Sequence, residues 1–291
     1  MHILIVGAGG RLGRVLAADL AAHGHRVTAP ERAALDVTND SRVRAVLGTH
    51  RPDVVVNCSA YNAVDAAERD PAAAFALNAE APERLAEAAD AIGARLVHFS
   101  TDFVFDGHAT QPYAEDAPAS PLSVYGASKL AGEEAVRRLP SHYILRVESL
   151  FGGTGVRGHR ATVDAITDTI LAGGPVRAIL DRTVSPSYAD DVAQATRMLV
   201  ESGALYGTYH CVASGHTNWY ELAREIARQL DVDARIEPIL AADLQTPARR
   251  PQFCALSNDK LRRLGLDLPS WQSALARHLA CRAGLVQKAA D

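Results

Sequence analysis

The chain contains 291 residues, of which 48% are apolar and 22% are charged, and its formal net charge is −4. These values are typical of a folded globular protein and exclude a disordered chain, because enough apolar surface is available to form a core. The negative net charge and an aromatic content of 5% argue against a protein that binds nucleic acid through bulk charge and base stacking.

The sequence shows none of the common patterns for a membrane span, for export or for metal binding. No apolar run approaches the length of about 18 residues that a membrane span needs. The first residues lack the basic region and cleavage site of a signal peptide, so we expect a cytoplasmic protein. The cysteines at 58, 211, 254 and 281 form no C-x-x-C pair, and the histidines form no H-E-x-x-H motif. The sequence thus predicts free thiols and no metal site.

The first half alternates short apolar strands with helices. Strands are predicted at 2–6, 26–29, 53–58, 95–100 and 143–147, and helices at 11–23, 40–49, 71–92 and 125–139. This order predicts right-handed βαβ units and therefore an α/β fold, a doubly wound parallel sheet of Rossmann type. Because the strands are apolar throughout, we expect helices to cover both faces of the sheet.

The second half is less regular. Helices are predicted at 161–172, 189–201, 217–230 and 270–280, and strands at 176–181, 206–212 and 235–239. The segment 152–158 has glycine at four of its positions and is predicted to be a mobile loop. We expect this half to pack on the first and to form one wall of a cleft.

A glycine turn joins the first strand to the first helix. Gly7, Gly10 and Gly13 have the spacing G-x-x-G-x-x-G, and the helix N-terminus that follows favours an anion. Glycine permits the tight turn and lets backbone N–H groups approach a pyrophosphate, so this context predicts dinucleotide binding. The candidate cofactor contacts in this segment are Gly7, Gly9, Gly10, Arg11, Leu12 and Gly13.

The identity of the nicotinamide cofactor depends on the end of the second strand. An acidic residue there would bind a ribose 2′-hydroxyl and an arginine would suit a 2′-phosphate, and Glu31 and Arg32 offer both. Arg11 could also reach a 2′-phosphate. The sequence favours NADP(H) and leaves NAD(H) open. Asp36 and Val37 lie where the chain would pass the adenine.

A tyrosine and a lysine are separated by one helical turn. Tyr125 and Lys129 stand at i and i+4 and therefore on one helix face. An ammonium group lowers the pKa of a neighbouring phenol, which lets the tyrosine exchange a proton with a substrate oxygen. Thr101 and Asp102 follow the preceding strand, whose C-terminal end should face the ligand crevice. This arrangement is typical of a carbonyl reductase.

Several segments along the chain carry a resemblance to a known family. They are 51–57, 60–68, 99–107, 124–133, 212–215 with Trp219, and 246–251. Together with the glycine turn, they resemble the extended short-chain dehydrogenase/reductase family and, within it, the dTDP-4-dehydrorhamnose reductases. The resemblance implies a dinucleotide-binding domain at 1–150 and a smaller, partly interleaved α+β domain at 151–291 that mainly binds the substrate. It is compatible with a homodimer.

The resemblance also implies an activity and roles for individual residues. The activity would be NAD(P)H-dependent reduction of the C4 keto group of a nucleotide-linked 6-deoxy-4-keto sugar, such as dTDP-4-dehydrorhamnose to dTDP-L-rhamnose. The catalytic set would be Thr101, Tyr125 and Lys129. The cofactor would contact Ser59, Ala60, Tyr61, Tyr125 and Lys129 in addition to the glycine turn. The substrate would contact Thr101, Asp102, Phe103, Tyr125, Trp219, Arg249 and Arg250, since a guanidinium suits a diphosphate.

The sequence departs from this family at two places. After Arg146, where these reductases usually carry Thr-Ser-Trp, residues 147–149 are Val-Glu-Ser, so the sugar is not defined. Val15 stands where some members have a glutamate that binds Mg²⁺ between subunits, so no metal-bridged dimer is predicted.

Two other interpretations of the function remain open. One is an epimerase or dehydratase that recycles a tightly bound NAD. The other is a non-catalytic NADP-binding subunit resembling the β-subunit of methionine adenosyltransferase.

Overall fold

The computed structural model describes residues 1–153 and 160–290, and their side chains up to residue 283. The predicted mobile loop at 152–158 lies outside these residues from position 154 onward. No helix in the described ranges is both long enough and apolar enough to cross a membrane.

The described residues form strands and helices in alternation. The strands are β1 (His2–Val6), β2 (Arg26–Thr28), β3 (Val54–Asn57), β4 (Arg95–Thr101), β5 (His142–Val147), β6 (Leu150–Phe151), β7 (Val176–Ile179), β8 (Thr183–Val184), β9 (Ser187–Tyr188), β10 (Gly207–His210), β11 (Thr217–Asn218) and β12 (Ile236–Ile239). The helices are α1 (Arg11–Ala22), α2 (Asp40–His50), α3 (Val64–Ala67), α4 (Pro71–Phe75), α5 (Ala81–Asp90), α6 (Val124–Val136), α7 (Thr162–Leu171), α8 (Ala189–Ser202), α9 (Trp219–Leu230), α10 (Asp259–Arg262) and α11 (Trp271–Ala290).

Six parallel strands form the central sheet, in the order β2-β1-β3-β4-β5-β10. Alternate side chains of β1 pack on opposite faces, as the pleat requires. Ile3 and Ile5 join a core with α1 and α8, whereas Leu4 and Val6 join one with α2 and α5. Helices therefore cover both faces, and the predicted Rossmann-type doubly wound sheet is confirmed.

The predicted helix at 71–92 is interrupted by a π-helical segment. Ala76–Glu80 connects α4 to α5 with one extra residue in the turn. Asn78 in this segment is fully buried and uses its side chain to bind both the backbone N–H and the carbonyl of Tyr61. The irregular turn therefore fixes the loop that follows β3, at the edge of the ligand crevice.

The second half of the chain has its own core and also completes the central sheet. Helices α7, α9 and α11 surround a separate apolar cluster that includes Ile166, Leu222 and Leu275. The strands β7 and β12 pair in parallel beside it. The strand β10, however, pairs with β5 and forms the sixth strand of the central sheet. The later residues thus form a wall above the C-terminal ends of the first-half strands.

Candidate active site

A cavity of about 960 Å³ lies between the C-terminal ends of the central strands and the second half of the chain. Most of the sequence-predicted site residues line it: Gly9, Gly10, Arg11, Leu12, Gly13, Ser59, Ala60, Thr101, Asp102, Phe103, Tyr125, Lys129, Trp219 and Arg250. The cavity is large enough for a cofactor and a substrate to meet. The structure therefore brings residues from distant parts of the sequence to one place.

The glycine turn has the close approaches that exclude larger side chains. Gly7 has φ +75°, and a Cβ atom there would lie 2.7 Å from the backbone nitrogen of Ser59. A Cβ atom on Gly13 would lie 2.5 Å from the carbonyl oxygen of Gly7. Helix α1 begins after Gly10 without a side-chain cap and without an acidic residue in its first turn. Its N-terminus is therefore suited to bind an anion such as a pyrophosphate.

Of the residues predicted to contact the adenosine end of the cofactor, only Arg11 lines the cavity. Arg32 is exposed and does not line the cavity, nor do Asp36 and Val37. The Asp36 carboxylate accepts hydrogen bonds from the N–H and hydroxyl of Thr38, which hold its pKa below the usual value. The Arg11 guanidinium donates to the carbonyl of Gly152 and lies near Asp164. Arg11 thus contacts the second half of the chain in this structure.

Small residues let α6 approach the end of β4 closely. A Cβ atom on Gly126 would overlap the carbonyl of Phe103, and one on Gly132 would overlap the carbonyl of Asn78. The hydroxyl of Ser123 caps the helix by accepting from the N–H of Gly126 at 3.1 Å. This backbone contact places Tyr125 directly beside Thr101.

The tyrosine and threonine side chains form a hydrogen-bonded group with a carboxylate. Thr101 donates its hydroxyl to Oδ1 of Asp102 at 2.9 Å and also hydrogen-bonds with Tyr125. Burial and the charge of Asp102 raise the pKa of Tyr125 above its usual value, although the bond with Thr101 opposes this. The phenol is therefore protonated at neutral pH and can act as a proton donor.

Lys129 lies beneath this group in a fully buried position. Its Nζ donates to the carbonyl oxygen of Phe99 at 2.6 Å and lies 3.5 Å from Nε2 of His98. Burial lowers the pKa of Lys129 to about 8, against the raising effect of Glu133 and Cys58. The sequence pattern predicted that the ammonium would lie against Tyr125. In this structure its shortest hydrogen bond is instead to the backbone of β4.

A buried cluster beside Thr101 contains Asp102, a predicted substrate contact, and two residues that the sequence did not assign to the site. Asp102, Glu148 and Cys254 place ligand-type atoms within 4.8 Å of one another. Burial raises the pKa of Asp102 to about 6 and the pKa values of Glu148 and Cys254 well above their usual ranges. A metal ligand must lose its proton, and the raised pKa values of Glu148 and Cys254 oppose that loss. The signal in the sequence is Glu148 itself, a charged residue directly after an apolar strand.

The predicted substrate residues have different surroundings. Arg250 forms a bidentate ion pair with Asp65, at 2.9 and 2.7 Å, and this pair lowers the pKa of Asp65. Arg249 is exposed and does not line the cavity, and Tyr61 does not line it either. Sequence reasoning missed Arg177 and Arg182, which line the same wall as Arg250. The part of the cavity lining that comes from the second half of the chain therefore carries several guanidinium groups.

Comparison with known proteins gives consistent results. The family model described as RmlD substrate binding domain matches residues 1–283. A probable dTDP-4,6-dihydroxy-2-methyloxan-3-one 4-ketoreductase of Streptomyces antibioticus is 43% identical over 94% of this chain and 93% of its own length. A dTDP-4-dehydrorhamnose reductase of Streptomyces griseus is 40% identical over 97% and 94%. The structure of dTDP-4-dehydrorhamnose reductase from Bacillus anthracis in complex with NADP has a TM-score of 0.91 at 31% identity and covers 96% and 98%. The resemblance inferred from the motifs is confirmed, and the chain belongs to the RmlD substrate binding domain family.

Proposed function

We propose that this protein uses NADPH to reduce the C4 keto group of a nucleotide-linked 6-deoxy-4-keto sugar, with dTDP-4-dehydrorhamnose to dTDP-L-rhamnose as the leading reaction. The observation that carries this proposal is the placement of Thr101, Tyr125 and Lys129 in one cavity, between a glycine turn and an arginine-bearing wall. The names of the Streptomyces relatives describe reductases of dTDP-linked keto sugars and support the same reaction class.

The glycine turn supports a dinucleotide as the hydride donor. Because Gly7 and Gly13 have no side chains, the turn can be tight, and a pyrophosphate can approach the backbone at the uncapped start of α1. The Bacillus anthracis relative was solved with NADP, which favours NADPH over NADH. Exposed Arg32 is then available for the 2′-phosphate, while Asp36 and Val37 would flank the adenine. When bound, NADPH supplies the hydride that adds to the sugar C4 carbon.

The residues of this chain supply the proton and orient the carbonyl. Tyr125 gives its phenolic proton to the carbonyl oxygen as that oxygen gains negative charge, and it is replenished from solvent. Thr101 hydrogen-bonds to the same oxygen and keeps the Tyr125 hydroxyl aligned. Lys129 holds the cofactor ribose and stabilises the phenolate that remains after transfer. The net change is a ketone and NADPH becoming an alcohol and NADP⁺, with one proton consumed.

The second half of the chain supplies the wall that we assign to the nucleotide sugar. Arg250 is fixed by Asp65, and Arg177 and Arg182 line the cavity beside it. Guanidinium groups match a diphosphate in charge and shape. Trp219 starts α9 at the same wall and offers an apolar ring surface. We propose that residues 151–291 mainly bind substrate and that residues 1–150 mainly bind the cofactor.

A coupled assay tests this function. dTDP-glucose is converted by the upstream dehydratase and epimerase, and NADPH oxidation is followed on adding this protein, with NADH in a parallel arm. We expect NADPH-dependent formation of dTDP-L-rhamnose. The keto sugar named for the Streptomyces antibioticus relative is a second substrate arm.

Other outcomes of the assay would remove the reductase proposal. Tightly bound NAD in the purified protein, with no net oxidation of added NADPH, would indicate that the protein is an epimerase or a dehydratase. Binding of NADP without turnover of dTDP-, GDP- or CDP-linked keto sugars would indicate a non-catalytic subunit.

A further inference from the structure

A buried row of polar side chains leads from β3 to the proposed active site. Asn57 on β3 and His98 on β4 are paired in register, so their side chains leave the sheet on the same face. The Nδ2 atom of Asn57 lies 3.1 Å from Nδ1 of His98, and Nε2 of His98 lies 3.5 Å from Nζ of Lys129. All three residues are at most 2% exposed, so no bulk solvent mediates these contacts.

The orientation of the Asn57 amide is determined by its other contacts. Its Oδ1 accepts hydrogen bonds from the backbone N–H and the hydroxyl of Ser59, at 3.0 and 2.6 Å. A rotated amide would put an N–H group against the backbone N–H of Ser59, so the NH₂ group must face His98. The Nδ1 atom of His98 is therefore the acceptor of this bond.

This orientation decides which nitrogen of His98 carries the proton. Burial and the charge of Lys129 hold the pKa of His98 well below its usual value, so the ring is neutral. A neutral imidazole that accepts at Nδ1 carries its hydrogen on Nε2. Lys129 thus faces an N–H donor at a distance of 3.5 Å. An N–H donor at this distance destabilises an ammonium group, which can only donate, and stabilises a free amine, whose lone pair can accept a hydrogen bond.

The other groups around Lys129 do not reverse this effect. The thiol of Cys58 follows β3, and the Glu133 carboxylate lies one turn further along α6, where Arg146 on β5 binds it. The carbonyl of Phe99 accepts one of the Nζ hydrogens. Glu133 raises the pKa of Lys129, but its ion pair with Arg146 offsets part of its negative charge, and burial still lowers the pKa overall.

We propose that Asn57 and His98 are positioning residues for Lys129: Asn57 locks His98 with its proton on Nε2, and His98 thereby makes Lys129 release its extra proton more readily. This inference rests on the proposed function, in which Lys129 stabilises the Tyr125 phenolate: an ammonium that gives up its proton more readily can return one to that phenolate. The three side chains then couple the end of β3, beside the glycine turn, to the proton-transfer group.

Replacing Asn57 by aspartate should reverse the effect. A carboxylate at position 57 still accepts from Ser59 but can only accept from His98, so the imidazole proton moves to Nδ1. Nε2 then becomes an acceptor for the lysine ammonium, and N57D should raise the pKa of Lys129 by about one unit or more. The chain contains only Lys129, Lys260 and Lys288 as lysines. Carbon-13 labelling at lysine Cε therefore gives a simple titration, assigned with K260R and K288R.

A double-mutant cycle separates the tautomer from the added charge. In the H98F background, N57D introduces the same charge but has no imidazole through which to act. We expect the pKa increase in H98F to be less than half of that in the chain with His98. An equal increase in both backgrounds, or no increase with His98 present, would overturn the inference.

A nitrogen-15 NMR measurement on the unaltered protein is independent of how the variants fold. The two nitrogens of a neutral histidine give different chemical shifts, and we expect the Nε2–H form for His98. Finding the Nδ1–H form would overturn the inference by itself. The titration and the tautomer are measured without substrate, so they remain decisive if no keto sugar is reduced, which would count against the proposed function alone. In an active enzyme, the limb of the kcat/KM pH profile due to Lys129 should move with its pKa.

Discussion

Replacing Tyr125 with phenylalanine tests the central step of the proposed reaction. The change removes one hydroxyl group, which contacts Thr101 at the cavity. The ring keeps its edge-to-face contact with Phe103, whose centroid lies 5.4 Å away at an interplanar angle of 79°. The fold should therefore lose no more than about 1 kcal/mol, the net value of one hydrogen bond.

The expected loss of activity is much larger than this loss of stability. General acid catalysis contributes about 10²–10⁴-fold, which corresponds to about 3–5 kcal/mol of transition-state stabilisation. Y125F should lower kcat for keto-sugar reduction by that factor. NADPH affinity should change little, because the glycine turn and Lys129 are unaltered. Steady-state kinetics and a fluorescence titration with NADPH measure the two quantities separately.

Tyr113 provides a matched control for this experiment. Its hydroxyl donates to Asp106 at 2.8 Å, and its ring stacks on Phe105, but it does not line the cavity. Y113F removes the same group from a similarly buried ring and should lower Tm while leaving kcat unchanged. If Y125F kept more than about a tenth of the original kcat, or if Y113F lost as much activity, Tyr125 would not be the acid.

Three other substitutions test the cofactor site, the lysine and the buried carboxyl. A Cβ on Gly13 would lie 2.5 Å from the oxygen of Gly7, so G13A should weaken NADPH binding about tenfold or more; Gly48 has open space, and G48A is the control in the same titration. K129M should lower kcat and also weaken NADPH binding, because it removes both the charge near the phenol and the proposed ribose contact. Burial raises the pKa of Glu148 well above its usual value, so the folded chain retains a proton that the unfolded chain releases above about pH 4.5, and stability is lost as the pH rises from there toward the folded pKa. E148Q should therefore raise Tm at pH 8 relative to the original protein, with a smaller or reversed difference at pH 5, and an equal effect at both values would contradict this account.

The strands and the glycine turn were accessible from the sequence because local chemistry determines them. Short apolar runs rich in β-branched residues favour strands that are buried on both faces of a sheet. Accordingly, β3 and β4 match their predicted positions within one residue at each end. The spacing of Tyr125 and Lys129 also places both on one helix in the structure. Their catalytic roles stay predictions.

Other features depend on partners that the local sequence does not name. The π-helical turn around Asn78 interrupts an alanine-rich segment whose periodicity resembles that of a continuous helix, and the local signs of the interruption were Asn78 and Pro82, which lies in the first turn of α5. The pairing of Arg250 with Asp65 joins residues far apart in the sequence. Two-residue strands such as β8 and β11 exist through their pairing with each other, and propensity cannot locate them. The cluster of Glu148 with Cys254 is likewise a product of tertiary packing.

The position of β10 has a consequence for how the chain is made. The strand that covers the free edge of β5 is synthesised only after all of α7 and α8. Until residues 207–210 have left the ribosome, the nascent sheet therefore presents a row of unpaired backbone groups along β5, to which strands of other chains could add. A fragment that ends near residue 150 would keep that edge permanently, so the first half of this chain is an aggregation-prone unit until the second half has closed the sheet.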